Sequence, residues 1–181
     1  MTFSDPPKLT PAFTLDVQLA PPQDFGSTVD GDRRFIPISG GHVYGPLLKG
    51  KILSGGGDWN MVRPNDTVHI LAKYTLSLPE DDGSETLVLI TNEGVGRASR
   101  EVMKGVFNAE DPSNFSNGKM GGAGDGTDGH GTDDSWYTRT CAKFEVRAGS
   151  KYEFLCKSLG VGVLKPPQKQ GGVIVDMFQV G

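Results

Sequence analysis

Residues 67–78, TVHILAKYTLSL, with the turn PEDDG at 79–83 and the run ETLVLITNEG at 85–94, decide the fold. In the first run Val68, Ile70, Ala72, Tyr74, Leu76 and Leu78 recur at every second position, the period of a strand with one buried face. Proline, two aspartates and a glycine supply turn chemistry, and the second run reads as the return strand of a hairpin. Working outward, FTLDVQLA at 13–20 alternates in the same way. RRFIPISGG at 33–41 is extended and is expected to stop at Gly40 and Gly41. HVYGPLLKGKILSGGG at 42–57 is apolar, but glycine and proline interrupt it too often for a helix. WYTRTCAKFEV at 136–146, SKYEFLCKSLGVGVL at 150–164 and GVIVDMFQVG at 172–181 add three more β segments. One short helix is expected, within GRASREVMKGVF at 96–107. Seven or more strands with such turns imply an all-β antiparallel sandwich or closed barrel. A barrel leaves no exposed edge and offers a lumen, so a barrel is expected.

The chain has 181 residues, 26 glycines, 12 prolines and a formal net charge of −4. That length suits one domain over 1–181 with room for an internal pocket. No lysine or arginine stripe is available to neutralise phosphates, which argues against nucleic acid as a partner. No apolar run reaches the ~20 residues of a membrane helix, and MTFSDPPKLT lacks the basic and apolar parts of a signal peptide. Cys141 and Cys156 make no disulfide framework. A cytoplasmic protein without a membrane partner is expected, and a homo-oligomer is left open. Residues 108–135, NAEDPSNFSNGKMGGAGDGTDGHGTDDS, are polar and glycine-rich and are expected to form a flexible insertion or a lid loop.

Several motifs come close to known chemistries without completing them. GPLLKGKI resembles a phosphate loop, yet Ile52 stands where the magnesium-binding hydroxyl belongs. GAGDGTDGHG resembles one unit of a calcium repeat that needs stacked copies. His42, His69 and His130 share no ligand spacing with the cysteines, and no Gly-x-Ser-x-Gly elbow occurs. No metal or cofactor is therefore expected, and chemistry would rest on acid–base or electrostatic effects.

What remains is a polar set within strand-like surroundings. Arg34 shares a face with Ile36 and Ile38. Asp58 and Trp59 follow three glycines. Tyr74 lies on the apolar face of its strand and points into the core or lumen. Thr91 and Glu93 share a face with Leu87 and Leu89, and Arg139 lies among aromatics. Each has a plainer role: Arg34 and Asp58 as an ion pair, Tyr74 capping a core hydrogen bond, Glu93 in water at a strand end. Buried charge is costly unless paired or used, so the set marks the candidate site.

The order of these pieces resembles the DUF3237 (UPF0311) family. The resemblance is carried by GDRRFIPISGGHVYGPLLKGKILSGGGDW, AKYTLSLPEDDG, ITNEG, WYTRTCAKFEV and YEFLCKSLGVGV, in that order. It implies an antiparallel barrel with a lipocalin-like interior. Members commonly carry Tyr-x-Trp-Leu-Asn where this chain has YEFLC, so Cys156 replaces an asparagine, and the 108–135 insertion exceeds the usual connection. Some fungal relatives look like tailoring enzymes of polyketide, phenolic or flavonoid pathways, including ring-closing isomerases. The resemblance thus implies a cofactor-independent isomerase or cyclase. Trp59 would stack on a phenolic or polyketide-like substrate, with Thr91, Glu93 and Arg139 as further ligand contacts. Arg34 would stabilise an oxyanion, Tyr74 would donate to a carbonyl, and Asp58 would act as base or orient Arg34. A non-catalytic carrier of an apolar metabolite is the alternative.

Overall fold

The computed structural model describes residues 4–65, 67–97, 136–165 and 171–181. Ten strands follow in chain order: β1 (Leu9–Leu19), β2 (Gln23–Thr28), β3 (Gly31–Tyr44), β4 (Gly50–Ile52), β5 (Gly56–Val62), β6 (Thr67–Pro79), β7 (Glu85–Arg97), β8 (Tyr137–Val146), β9 (Gly160–Leu164) and β10 (Gly172–Val180). The 67–94 reading corresponds to β6 and β7, which pair antiparallel from Thr67↔Arg97 to Pro79↔Glu85. At about 3.3 Å per residue their 13 residues each span roughly 40 Å, one whole wall of the barrel.

Every pairing is antiparallel, and β1 bonds to both β10 and β3, which closes the sheet on itself. The short β4 and β5 share one place between β3 and β6, so eight strand positions complete the circle. The expected all-β antiparallel barrel is the fold found.

Inward parity follows from the ladders. Ile36, Asp58, Ala72, Asn92, Ala142 and Gly160 form one cross-strand row. One end is packed: Leu15, Leu76, Leu78, Val88 and Ile90 are fully buried in a cluster with Tyr74 and Met177. Each such side chain contributes about 1.5–3 kcal/mol by leaving water. A smaller cluster around Val68 and Ile70 lies toward the other end, where the Trp136 indole donates to the Leu164 carbonyl at 2.9 Å.

Three local expectations are corrected. β3 does not stop at Gly40 and Gly41 but runs through them to Tyr44, because both glycines adopt positive φ and keep the ladder to β1 and β4. A Cβ on Gly41 would lie 2.1 Å from the Asp16 carbonyl oxygen, so only glycine fits that approach. YEFLCK is not a strand: Glu153–Lys157 form a 3-10 turn that places Tyr152 and Leu155, three residues apart, on one buried face. Tyr152 donates to the Pro79 carbonyl at 2.6 Å, and Glu80 accepts from Thr86 and Ser150 at 2.5 and 2.7 Å. These hydroxyls, Thr86 foremost, hold the Glu80 carboxyl below the usual range and tie the turn to the β6–β7 hairpin. In the segment read as a helix, Gly96 and Arg97 belong to β7; residues 98–107 and the 108–135 insertion lie outside the described residues.

Candidate functional site

Away from the packed end, the inner wall changes character. Leu19, Ile36, Ala72, Gly94, Leu164 and Val173 face inward yet keep partial solvent contact, as do Arg34 and Asp58. Leu19, Ala72, Leu164 and Val173 pack against the edge of the buried core, so this is the less tightly enclosed stretch of the inner wall.

The glycines at 55–57 shape the wall in three different ways. Gly55 makes the turn, with φ +102. A Cβ on Gly56 would meet Tyr74 Cβ at 2.4 Å and the Lys73 carbonyl oxygen at 2.6 Å, so its bare backbone lets β5 close on β6. Gly57 lies under the Phe35 ring, 2.1 Å from where its Cβ would be. Directly afterwards the β5–β6 ladder is interrupted: Asp58 pairs with Ala72 and Met61 with His69, with no pairing recorded between. In that gap Asp58 Oδ1 accepts the Leu71 backbone N–H at 2.9 Å, and Oδ2 accepts the Asn60 side-chain amide at 3.3 Å.

Asp58 keeps some solvent contact, but its carboxyl sits deep among protein atoms. Burial raises its pKa above the usual carboxylate range, opposed by the Leu71 and Asn60 hydrogen bonds and more weakly by His69. Tyr74, one inward step along β6 from Ala72, is fully enclosed. Burial first, then the neighbouring Asp58 charge, drives its phenol far above the usual value, against a hydrogen bond from Asn92. At neutral pH Tyr74 is therefore a neutral donor. A buried carboxyl whose ionisation is disfavoured beside a phenol that keeps its proton is an arrangement with the capacity to accept one proton and donate another hydrogen bond.

Arg34 also faces inward, in register with Asn60, and pairs at 3.5 Å with Asp24 across β2–β3. Arg34, Asp58 and Tyr74 thus share the inner wall. The other four sequence-derived candidates do not, which corrects their expected place in the lumen. Trp59 is 45% exposed on the outer face, packed on Phe35 and Phe25 with ring centroids 4.5 and 6.3 Å apart. Thr91 and Glu93 face outward between Leu89 and Val95, and Glu93 meets His69 at 3.0 Å. Arg139 lies outside β8, 4.8 Å above the Tyr137 ring. The physical reason is parity: a one-residue step reverses the face, and β7 carries apolar residues on both faces.

Sequence reasoning passed over Asn60, Asn92 and Thr140. Each is 2% exposed, and Asn60 Oδ1, Asn92 Oδ1 and Thr140 Oγ1 have no hydrogen-bond partner. Their signal was available: each is a polar residue at the parity of the most buried apolar ones, as Asn92 is with Val88 and Ile90. Among the described residues no three His, Cys, Asp or Glu side chains converge on a metal position, and no helix is long and apolar enough to cross a membrane. A small apolar crevice at the packed end, lined by Phe13, Leu47, Phe144 and Leu159, holds no titratable side chain.

Residues 7–180 match the model of the family described as "Protein of unknown function (DUF3237)". A UPF0311 protein from Rhodopseudomonas palustris is 28% identical over 170 residues, 93% of each chain. A crystal structure described as a beta-barrel like protein from Acinetobacter baumannii is 28% identical, covers 100% of both chains and superposes with a TM-score of 0.71. A conserved protein of unknown function from R. palustris, 26% identical, covers 98% of this chain and 100% of its own with a TM-score of 0.74. A crystal structure described as an enzyme from Penicillium herquei shares the fold at 15% identity, covering 100% of this chain and 99% of its own with a TM-score of 0.65.

Proposed function

We propose that this chain, which belongs to the DUF3237 family, is a cofactor-independent isomerase or cyclase that closes a ring within a phenolic or polyketide-type substrate. The observation that carries this is the pairing of Asp58, a buried carboxyl ionising above its normal range, with Tyr74, a buried phenol that keeps its proton. The Penicillium herquei structure, described as an enzyme, supports catalysis on this scaffold, while the substrate class is what the family resemblance implies.

In a chalcone-like closure Asp58 accepts the proton of a ligand hydroxyl. The freed oxygen attacks the conjugated alkene carbon, forming a C–O bond as the alkene electrons move toward the carbonyl. Tyr74 hydrogen-bonds the carbonyl oxygen as enolate charge develops there, and the proton returns from Asp58 to the α-carbon. No atom is gained or lost. Positioning and electrostatic stabilisation do the work that a nucleophile does elsewhere. Arg34, in register with Asn60 on the same wall, favours ligands carrying negative charge.

Incubation with a panel of phenolic and polyketide substrates, followed by chiral chromatography at constant mass, tests this directly. Tyr74→Phe is expected to reduce turnover by about tenfold or more with folding intact. A wild-type protein that binds such compounds but returns every one unchanged would leave a carrier of apolar metabolites, a role the Leu19, Ile36, Leu164 and Val173 lining also suits.

A further inference from the structure

We infer that Asn60, Asn92 and Thr140 are the ligand-orienting residues of the lumen, and that they select a ligand carrying at least two hydroxyl or N–H donors on an apolar frame. It rests on the lumen being the ligand site, as proposed above, and goes on to what the site demands of its occupant. The Asn60 amide nitrogen is committed to the Asp58 carboxylate, which cannot donate when ionised, so the orientation of this amide is set and Oδ1 is left as an acceptor. Asn92 adjoins the Tyr74 phenol closely enough to favour its ionised form, and its Oδ1 is left as a second acceptor without a partner. The Thr140 hydroxyl, equally without a partner, serves either sense.

These atoms are grouped rather than scattered. Asn60 is bonded to Asp58, Asn92 is in register with Ala72, and Thr140 is in register with Gly94. Asp58, Ala72 and Gly94 are among the inward residues that keep partial exposure, so a ligand lying on this stretch of wall would adjoin all three side chains. Two buried carbonyl acceptors facing a ketone, ether or carboxylate oxygen repel it; facing a hydroxyl or N–H they bind it. A buried polar atom that lacks a partner is costly, so a site built this way rejects an analogue lacking the donor far more strongly than it rejects one of altered bulk. The one complementary acceptor on the ligand is then the oxygen that receives the Tyr74 proton. Fatty acids and plain terpenoid hydrocarbons do not meet this pattern; polyhydroxylated aryl ketones do.

The test is equilibrium binding to the intact protein of 2,4,6-trihydroxyacetophenone and its 2,4,6-trimethoxy counterpart, by calorimetry. The triol is expected to bind on the order of a hundredfold more tightly, and Thr140→Val and Asn92→Leu are each expected to shrink that preference by about tenfold. Thr140→Val removes only a hydroxyl at constant shape, so it remains informative where a larger change unfolds the barrel. Equal affinity for the two compounds, a preference untouched in both variants, or failure of the wild type to bind either compound would each overturn the assignment. Loss of the preference with full turnover in Tyr74→Phe and Asp58→Asn would remove the catalytic proposal and leave this one standing. Turnover abolished in those two variants without any hydroxyl preference would do the reverse.

Discussion

Asp58→Asn is expected to lower turnover of a hydroxyaryl substrate by about 10²–10⁴-fold, the usual loss when a positioned base is removed, while making the protein harder to unfold at neutral pH. The two effects have one cause. Burial holds the Asp58 carboxyl above its unfolded pKa, so its contribution to stability is fully present below the unfolded value and is lost as pH rises through the folded one. An amide does not ionise and escapes that loss. It still offers the Leu71 N–H an acceptor, and Asn60 can turn its Oδ1 toward the new amide nitrogen in place of the 3.3 Å bond it now makes. Denaturant unfolding of both proteins at neutral pH and well below the carboxylate range measures this: the variant leads at neutral pH and the two converge in acid. A variant destabilised equally at both pH values would mean that the carboxylate is there for structure and not for proton transfer.

Gly56→Ala is expected to cost about 3 kcal/mol and to remove turnover together with stability. Its φ is ordinary, so backbone strain is not the reason. The added Cβ would meet Tyr74 Cβ at 2.4 Å and Lys73 backbone at 2.6 Å, and β5 must then move away from β6, taking Asp58 from its anchor on Leu71. Gly55→Ala gives the contrast. At φ +102 with open space around it, it stores about 1 kcal/mol of backbone strain and leaves the strand pair alone. Thermal unfolding of both variants distinguishes the two, and equal losses would show that the turn, rather than the contact with Tyr74, is what the glycines serve.

How much of this was legible beforehand depended on whether a strand had one apolar face or two. TVHILAKYTLSL alternates cleanly, and Tyr74 was placed inward correctly. ETLVLITNEG does not alternate: Leu87 and Leu89 lie outside while Val88 and Ile90 are fully buried, so sharing a face with leucines sent Thr91 and Glu93 to the wrong side. Asn92, one residue away, is the inward residue. Trp59 misled for a related reason, since a large aromatic next to a buried acid in sequence must face the other way in a strand. Strand number left a sandwich and a barrel both open, and closure was expected because a barrel leaves no exposed edge. The continuation of β3 through Gly40 and Gly41 was not, because the same glycines that end strands also permit the close approach that β1 requires here.

The gap in the β5–β6 ladder has one more consequence. The Leu71 amide is bonded to a carboxylate instead of a strand carbonyl, so its proton resonance senses the charge on Asp58 directly. In a pH series of amide spectra, Leu71 is expected to move in step with Asp58 ionisation, at a midpoint above the ordinary aspartate range, while amides elsewhere in the β6–β7 ladder stay still. The chain thus carries an intrinsic spectroscopic gauge of the Asp58 charge, readable without any substrate in hand.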